Sequence, residues 1–232
     1  MKKVFIITGT RKGIGKQLAE YYLAKGHIVC GCSRGKSAIS DKNYAHYKLD
    51  VANEDEVIFM IRSIKKKHKF IDVLINNAGI AGMNHILTTP YENAKNIFDT
   101  NFFGTFLFIR ETSKIMIRQK RGRIINFSTI AATLNLEGEA VYAASKIAIE
   151  SLTRTSAKEL AQFGIRINSI SPTPIRTDLI KNINRKKIDN LLKQQAINRF
   201  GEFKDIVNVI NFLIDKNSDF ITGQTIHLGG PI

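Results

Sequence analysis

The chain reads as one α/β domain, a parallel sheet with helices on both faces. Three observations predict it. Short apolar runs of strand length alternate with longer stretches of helical period, which is the pattern of parallel strands joined by crossover helices. The first run ends in a glycine-rich turn, Thr8-Gly9-Thr10-Arg11-Lys12-Gly13-Ile14-Gly15, before a helix. The 232 residues contain no Pro/Ser-rich linker or composition break, which suits a single domain with a sizeable core over residues 1–232.

Composition narrows the class. The start, Met1-Lys2-Lys3 and then Val4 to Ile7, begins like a secretory leader, but the apolar run stops at Thr8-Gly9. No uninterrupted apolar segment is long enough to span a bilayer, so a soluble, cytoplasmic protein without a membrane partner is expected. The two cysteines, Cys30 and Cys32, point to one side of a strand and read as buried free thiols. His27, His46, His68, His85 and His227 are scattered without ligand spacing, so no metal is expected. The formal charge of +15 is densest at Lys65-Lys66-Lys67-His68-Lys69 and Arg118-Gln119-Lys120-Arg121, where helices end. Cations are favoured at helix C-termini, and no aromatic-interleaved basic platform accompanies them, so nucleic acid is not expected as a partner.

Taken in order, Lys3 to Thr8 reads as a buried strand and Gln17 to Lys25 as an amphipathic helix. In the turn between them, glycines let the backbone approach a pyrophosphate seated on the amides that open the helix. Ile28 to Ser33 is the next strand, and its end is where the adenosine ribose of a dinucleotide belongs. An acidic residue there would select NAD; this chain has Ser33 and then Arg34. With Lys12 converging from the turn, the pair predicts a 2'-phosphate, hence NADP(H).

Tyr44 to Leu49 is a third strand ending at Asp50, followed by a helix from about Asn53 to Lys67. Ile71 to Ile75 is a fourth, running into Asn76-Asn77-Ala78-Gly79. Ligands of such sheets bind beyond the carboxyl ends of the strands, where Asp50 and the Asn-Asn-Ala-Gly turn both fall. A long helix is expected from Tyr91 to Lys120, with Asn101 near its middle among Phe98, Phe102, Phe106 and Ile109. Ile124 to Phe127 is the fifth strand, closed by Ser128-Thr129. A helix over Val141 to Phe163, a strand over Ile165 to Ile170, a basic helical stretch over Asp178 to Phe200, a helix over Gly201 to Ile214 and a last strand over Thr225 to Leu228 complete the alternation.

Tyr142 and Lys146 stand four residues apart and share a helix face. Bringing a phenol of pKa ~10 near neutrality takes ~4 kcal/mol. One ammonium about 4 Å away supplies that at an intermediate dielectric, and only ~1 kcal/mol in bulk water. The pair is therefore useful as a proton donor only in a partly dry cleft.

With TGTRKGIG (8–15), Asp50, NNAG (76–79), Asn101, Ser128-Thr129, YAASK (142–146) and Asn168-Ser169-Ile170-Ser171-Pro172 in one order and spacing, the chain from Lys3 to Gly230 resembles the short-chain dehydrogenase/reductase family. The resemblance implies a Rossmann-type domain with a seven-stranded parallel sheet and an oxidoreductase that reduces a carbonyl with NADPH. It maps a catalytic tetrad onto Asn101, Thr129, Tyr142 and Lys146: Tyr142 gives the proton, Lys146 holds the nicotinamide ribose and depresses the Tyr142 pKa, Asn101 carries a relay water, and Thr129 orients the substrate oxygen. It places the cofactor on Gly9, Arg11, Lys12, Gly13, Ile14, Gly15, Ser33, Arg34, Asp50, Val51, Asn77, Ala78 and Gly79, on Tyr142 and Lys146 again, and on Pro172, Ile175 and Thr177 beside the nicotinamide.

Two residues depart from the family's pattern: Thr129 stands where serine is usual, with Ser128 as substitute if the loop shifts by one, and Thr173 follows Pro172 where glycine is usual. The overall look is nearest to 3-oxoacyl-[acyl-carrier-protein] reductases, implying a substrate carried on an acidic acyl carrier met by Lys120 and Arg121. Sugars, polyols, steroids and small ketones are alternatives, as is a weakened, cofactor-binding regulator. The resemblance also implies a substrate lid at about 178–200 and a dimer or tetramer packed through the helices at 91–120 and 139–163.

Overall fold

The computed structural model describes residues 2–175 and 190–230. Seven strands, β1 (Val4–Thr8), β2 (Ile28–Ser33), β3 (Tyr44–Lys48), β4 (Val73–Asn76), β5 (Gly122–Phe127), β6 (Ile165–Ser171) and β7 (Thr225–His227), form one sheet in the order β3-β2-β1-β4-β5-β6-β7. Every pairing is parallel. The order reverses between β1 and β4, which opens a crevice at their carboxyl ends.

The alternation of β1 shows how the layers form. Val4 and Ile6 enter the core shared with α2 (Glu54–His68), α4 (Gly104–Gln119) and α6 (Ala140–Leu160). Phe5 and Ile7 enter the core on the other face, with α1 (Gly13–Ala24) and a helix at Phe203–Ile214. A side chain of this size stabilises by roughly 2 kcal/mol when fully buried, so each face of the strand is held. Cys30 and Cys32 lie side by side in the first core, where burial pushes each thiol up to about 12.

Helix ends follow their residues. In α2 the Asn53 side chain accepts from Glu56 N at 3.2 Å, acids fill the first turn, and Lys65 to His68 fill the last. The basic run thus sits at the negative end of the helix dipole.

Three expectations are corrected. The long helix over 91–120 is interrupted: α3 (Tyr91–Phe98) passes through a wide π turn at Asp99–Phe103 into α4. The extra residue per turn rotates Asn101 inward, to 0 % exposure. The fourth strand starts at Val73, because Gln119 takes both the Ile71 amide and its carbonyl at 2.8 Å. Of the helix expected over 178–200, residues 190–193 are helical and 194–200 are not, since Ala196 N and Ile197 N bond the carbonyls of Gly230 and Gly229. Thr177 and the rest of the expected lid lie outside the described residues. Two short helices complete the fold, α5 (Ala131–Leu134) and α7 (Phe203–Ile214), the latter opened by a reciprocal Glu202/Asp205 capping box.

Candidate active site

The glycine turn does two jobs. A Cβ on Gly15 would lie 2.4 Å from both the Gly9 carbonyl and Asn77 Nδ2, and one on Gly9 would lie 2.8 Å from Asn77 Nδ2, so these two glycines close the turn onto helix and neighbouring strand. Gly13, at φ +61°, has nothing within 4 Å of its missing Cβ. It opens α1, whose N-cap Lys12 makes no side-chain cap bond and whose first turn has no acid. Uncovered amides at a positive helix end, with an open side over Gly13, suit a diphosphate. Arg11 and Lys12 are exposed at the mouth, and Ile14 is half-buried beneath.

Beside it lies the end of β2. Ser33 turns inward, its Oγ donating to the Gly35 carbonyl at 2.9 Å and lying 3.3 Å from His46 Nε2, while Arg34 stays exposed. A polar chain ties this corner to the turn: Thr10 Oγ1 to Tyr44 Oη at 2.9 Å, and Tyr44 Oη to His46 Nδ1 at 2.9 Å. Only glycine at position 31 leaves room, since a Cβ there would meet both hydroxyls within 2.5 Å. The Arg11 side chain crosses over Gly35, 2.9 Å from where its Cβ would be. Arg11 and Arg34 therefore share one edge.

Asp50 closes on itself, its Oδ1 accepting from Ala52 N at 3.0 Å, and Val51 packs beneath, against Gly104 of α4. Asn77 and Ala78 wrap the Thr8 hydroxyl, both amides donating to it at 3.0 and 2.9 Å, while Asn77 Nδ2 donates to the Thr8 carbonyl. Gly79 borders the next group: its Cβ would lie 3.2 Å from Asn101 Oδ1 and 3.4 Å from Lys146 Nζ.

Asn101, Thr129, Tyr142 and Lys146 converge at the ends of β4 and β5. Tyr142 and Lys146 are 8 % and 4 % exposed on α6. Lys146 Nζ donates to the Phe127 carbonyl at 2.9 Å and lies 5.9 Å from the Tyr142 ring centroid. The Thr129 hydroxyl lies beside the Tyr142 phenol, where it opposes the rise of the phenol's pKa, and it accepts from Ala131 N at 3.3 Å. Ser128 does not compete for that place, because its Oγ donates to Glu150 Oε1 at 2.5 Å.

The electrostatics correct one expectation. Burial pushes Tyr142 up to about 12, with the Glu139 charge adding to it and the Thr129 hydroxyl opposing it. Burial pulls Lys146 down to about 8. In the protein alone, then, Lys146 does not depress the phenol, for its amine is turned to the Phe127 carbonyl and desolvation outweighs the attraction. The phenol is a proton donor at neutral pH.

At the end of β6, Pro172 accepts from Ile130 N at 3.3 Å, which joins the exits of β5 and β6, and Ile175 bridges to Gly201. Thr173, 6 % exposed, donates to Gln195 Oε1 at 2.5 Å. The threonine thus seats the segment after residue 190, a use that glycine lacks.

Sequence reasoning missed the residues that brace this group. Asn76 Nδ2 donates to Asn126 Oδ1 and Asn126 Nδ2 to Thr153 Oγ1, at 2.8 and 2.9 Å, which bolts β4 to β5 and β5 to α6. Ser145 accepts from Asn101 Nδ2 at 3.0 Å and donates to the Tyr142 carbonyl at 2.7 Å. Its place between Tyr142 and Lys146 was the available signal.

A family model described as enoyl-(acyl carrier protein) reductase matches residues 9–230. The chain belongs to the short-chain dehydrogenase/reductase family, nicotinamide-dependent oxidoreductases that interconvert a carbonyl and an alcohol. It is 34 % identical, over 99 % of its length and 98 % of the relative's, to the 3-oxoacyl-[acyl-carrier-protein] reductase FabG of Staphylococcus epidermidis. The solved structure of ElxO with NADP bound is similar at TM-score 0.89 and 32 % identity, covering 98 % of this chain and 97 % of that one. A Leptospira borgpetersenii short-chain dehydrogenase with bound NAD+ is similar at TM-score 0.90 and 26 % identity, covering 100 % of this chain and 92 % of the other. Among the described residues no helix is long and apolar enough to cross a membrane.

Proposed function

We propose that this chain reduces the 3-oxo group of an acyl thioester carried on an acyl carrier, using NADPH. The observation that carries the reading is the convergence of the Thr129 hydroxyl, the Tyr142 phenol and the Lys146 amine where the crevice of β4 and β5 meets the glycine turn. A bound nicotinamide supplies the hydride. The Thr129 hydroxyl holds the substrate oxygen against the phenol, and Tyr142 gives its proton to that oxygen as the carbonyl carbon gains the hydride pair, so a ketone becomes a secondary alcohol. Lys146 leaves the Phe127 carbonyl for the nicotinamide ribose, where its charge stabilises the tyrosinate. Asn101 holds the start of α6 in place and carries the water that returns protons to Lys146.

NADPH in preference to NADH follows from Arg34 and Lys12, with no acid at the end of β2, and Arg11 joins them there. Asp50, Val51, Asn77, Ala78 and Gly79 line the cofactor's path, with Pro172 and Ile175 at its nicotinamide end. The acyl-carrier substrate follows from the FabG likeness together with the exposed Lys120 and Arg121. Reduced, buried Cys30 and Cys32 agree with action in the cytoplasm. Exposed Phe103, Phe106 and Ile147, on the π turn, α4 and α6, form the face through which a second copy packs in a dimer or tetramer.

The test is NADPH consumption with an acetoacetyl thioester, a crotonyl thioester, simple diketones and ketosugars, with NADH in parallel and Tyr142→Phe as blank. Turnover of the acetoacetyl thioester that vanishes in the blank is expected. Faster turnover of the crotonyl thioester would make the protein an enoyl reductase, and faster ketosugar turnover a polyol dehydrogenase. NADPH binding without turnover of any of them would favour a regulator.

A further inference from the structure

The buried Ser128 hydroxyl points away from the reacting group, into α6. Its Oγ donates to Glu150 Oε1 at 2.5 Å, within the short range of a hydroxyl bonded to a carboxylate, and its amide donates to the Ile170 carbonyl of β6 at 2.8 Å. Ser128 is 3 % exposed, so nothing about it faces solvent. Its two chain neighbours are the working ones: the Phe127 carbonyl receives Lys146 Nζ at 2.9 Å, and Thr129 stands beside the Tyr142 phenol. Glu150 lies one turn beyond Lys146 on the helix that carries Lys146 and Tyr142.

We propose that Ser128 and Glu150 form a positioning clamp that sets the exit of β5 in register against α6, so that Thr129 and the Phe127 carbonyl stand at the right depth for Tyr142 and Lys146. The inference rests on the reductase reading. Two halves of the site arrive on different elements, and this bond between residues 22 apart joins Asn126–Thr153 and Lys146–Phe127 in tying them together, through the one residue that lies between the Phe127 carbonyl and Thr129. The clamp matters more here because the orienting residue is a threonine. A serine can re-aim its hydroxyl by rotating χ1, whereas a β-branched side chain cannot do so freely, so Thr129 depends on its backbone for aim. A displacement of about 1 Å in such a group lowers a rate by up to about 100-fold.

The experiment compares Ser128→Ala, Glu150→Ala, their double variant and Glu150→Gln, in wild-type and Thr129→Ser backgrounds. It follows kcat and KM for an acetoacetyl thioester with NADPH and amide hydrogen exchange over residues 127–131. Each alanine variant should lose between about tenfold and 100-fold in kcat with KM for NADPH little changed, and the double variant should be no worse than either. Glu150→Gln, which still accepts from Ser128, should stay within about threefold of wild type. Thr129→Ser should raise kcat by a larger factor in the clampless proteins than in the intact one. Exchange over 127–131 should quicken in the alanine variants and not in Glu150→Gln.

Full kcat in either alanine variant, losses that add, or equal effects of Thr129→Ser in both backgrounds would overturn the clamp. So would a loss that follows thermal stability alone. Should the wild type turn over nothing, the reductase reading falls, while unchanged exchange in Ser128→Ala would still overturn the clamp separately.

Discussion

Asn101 and Ile80 are joined by a closed pair of hydrogen bonds: Ile80 N donates to Asn101 Oδ1 at 2.8 Å, and Asn101 Nδ2 donates back to the Ile80 carbonyl at 2.9 Å. Nδ2 also reaches Ser145 Oγ, and through it the Tyr142 carbonyl. The side chain is thus a rivet between the loop after β4 and the first turns of α6, and the π turn exists to deliver it there. Its main-chain carbonyl accepts from Thr105 Oγ1 at 2.7 Å, which fixes the π turn from the other side.

Replacing Asn101 by Asp removes both donated bonds and sets a carboxylate against the Ile80 carbonyl. Leaving buried groups unsatisfied costs about 1 to 3 kcal/mol. Asn101→Asp should lower the unfolding free energy from urea denaturation by that amount and lower activity more than stability accounts for. Equal stability in urea denaturation would show that the rivet carries no load.

The glycines of the turn should respond in opposite ways. Gly15→Ala drives a Cβ into the Gly9 carbonyl, and overpacking of this kind destabilises by about 1 to 3 kcal/mol. Gly13→Ala meets no protein atom and bears only the strain of its positive φ, about 1 to 2 kcal/mol. If a diphosphate lies over Gly13, that variant should still fold yet bind NADPH at least tenfold more weakly by fluorescence titration.

Stability should vary with pH through the buried pair. Lys146 titrates near 8 when folded and near 10.5 unfolded, so between those values the unfolded chain binds more protons and stability rises with pH. At neutral pH the charged amine is held against its desolvation, and Lys146→Met should relieve up to about 3 kcal/mol, less the bond to the Phe127 carbonyl. Tyr142 acts oppositely: unfolded near 10 and folded near 12, it makes stability fall as pH rises between them. Denaturant midpoints of wild type, Lys146→Met and Tyr142→Phe from pH 7 to about 11.5 should separate the two slopes.

Cofactor choice should follow Arg34. Arg34→Asp replaces the guanidinium proposed to hold the 2'-phosphate with a carboxylate suited to ribose hydroxyls, and the loss of a charged hydrogen bond of about 1.5 to 3 kcal/mol predicts at least a tenfold shift of kcat/KM toward NADH. Because Arg11 shares that edge, Arg11→Ala combined with Arg34→Asp should shift it further. An unchanged preference in the double variant would place the 2'-phosphate elsewhere.

Much of this was legible in the chain. Uninterrupted apolar strands such as Val4 to Ile7 have one interpretation, and a glycine turn between strand and helix has few. The π turn was not legible, since Asn101 among Phe98, Phe102 and Phe106 has the same spacing in an ordinary helix; the extra residue is chosen by the tertiary bonds to Ile80 and Ser145. Nor was the pairing of Ser128 with Glu150, which becomes visible only when β5 and α6 are side by side. The direction of the Tyr142 shift in the protein alone was not legible either, because proximity to Lys146 can be read from spacing, whereas the burial of both groups cannot.

Thr129 tests whether the departure from serine is a weakness or a tuning. On the proposed reading its hydroxyl is half of the group that meets the substrate oxygen, so Thr129→Val, of the same shape, should lower kcat by about 100- to 1,000-fold, as removal of one oxyanion donor does, while leaving NADPH affinity and the denaturation midpoint close to wild type. Thr129→Ser keeps the donor and frees χ1, so kcat should stay within about threefold of wild type, since the aim is set by backbone already held at Ser128. If serine instead raised kcat by an order of magnitude, the threonine methyl would be narrowing the pocket against the substrate used, and a smaller carbonyl compound would be the better candidate. If valine kept full activity, the orienting hydroxyl would have to come from another residue, and Ser128 could supply it only by giving up Glu150.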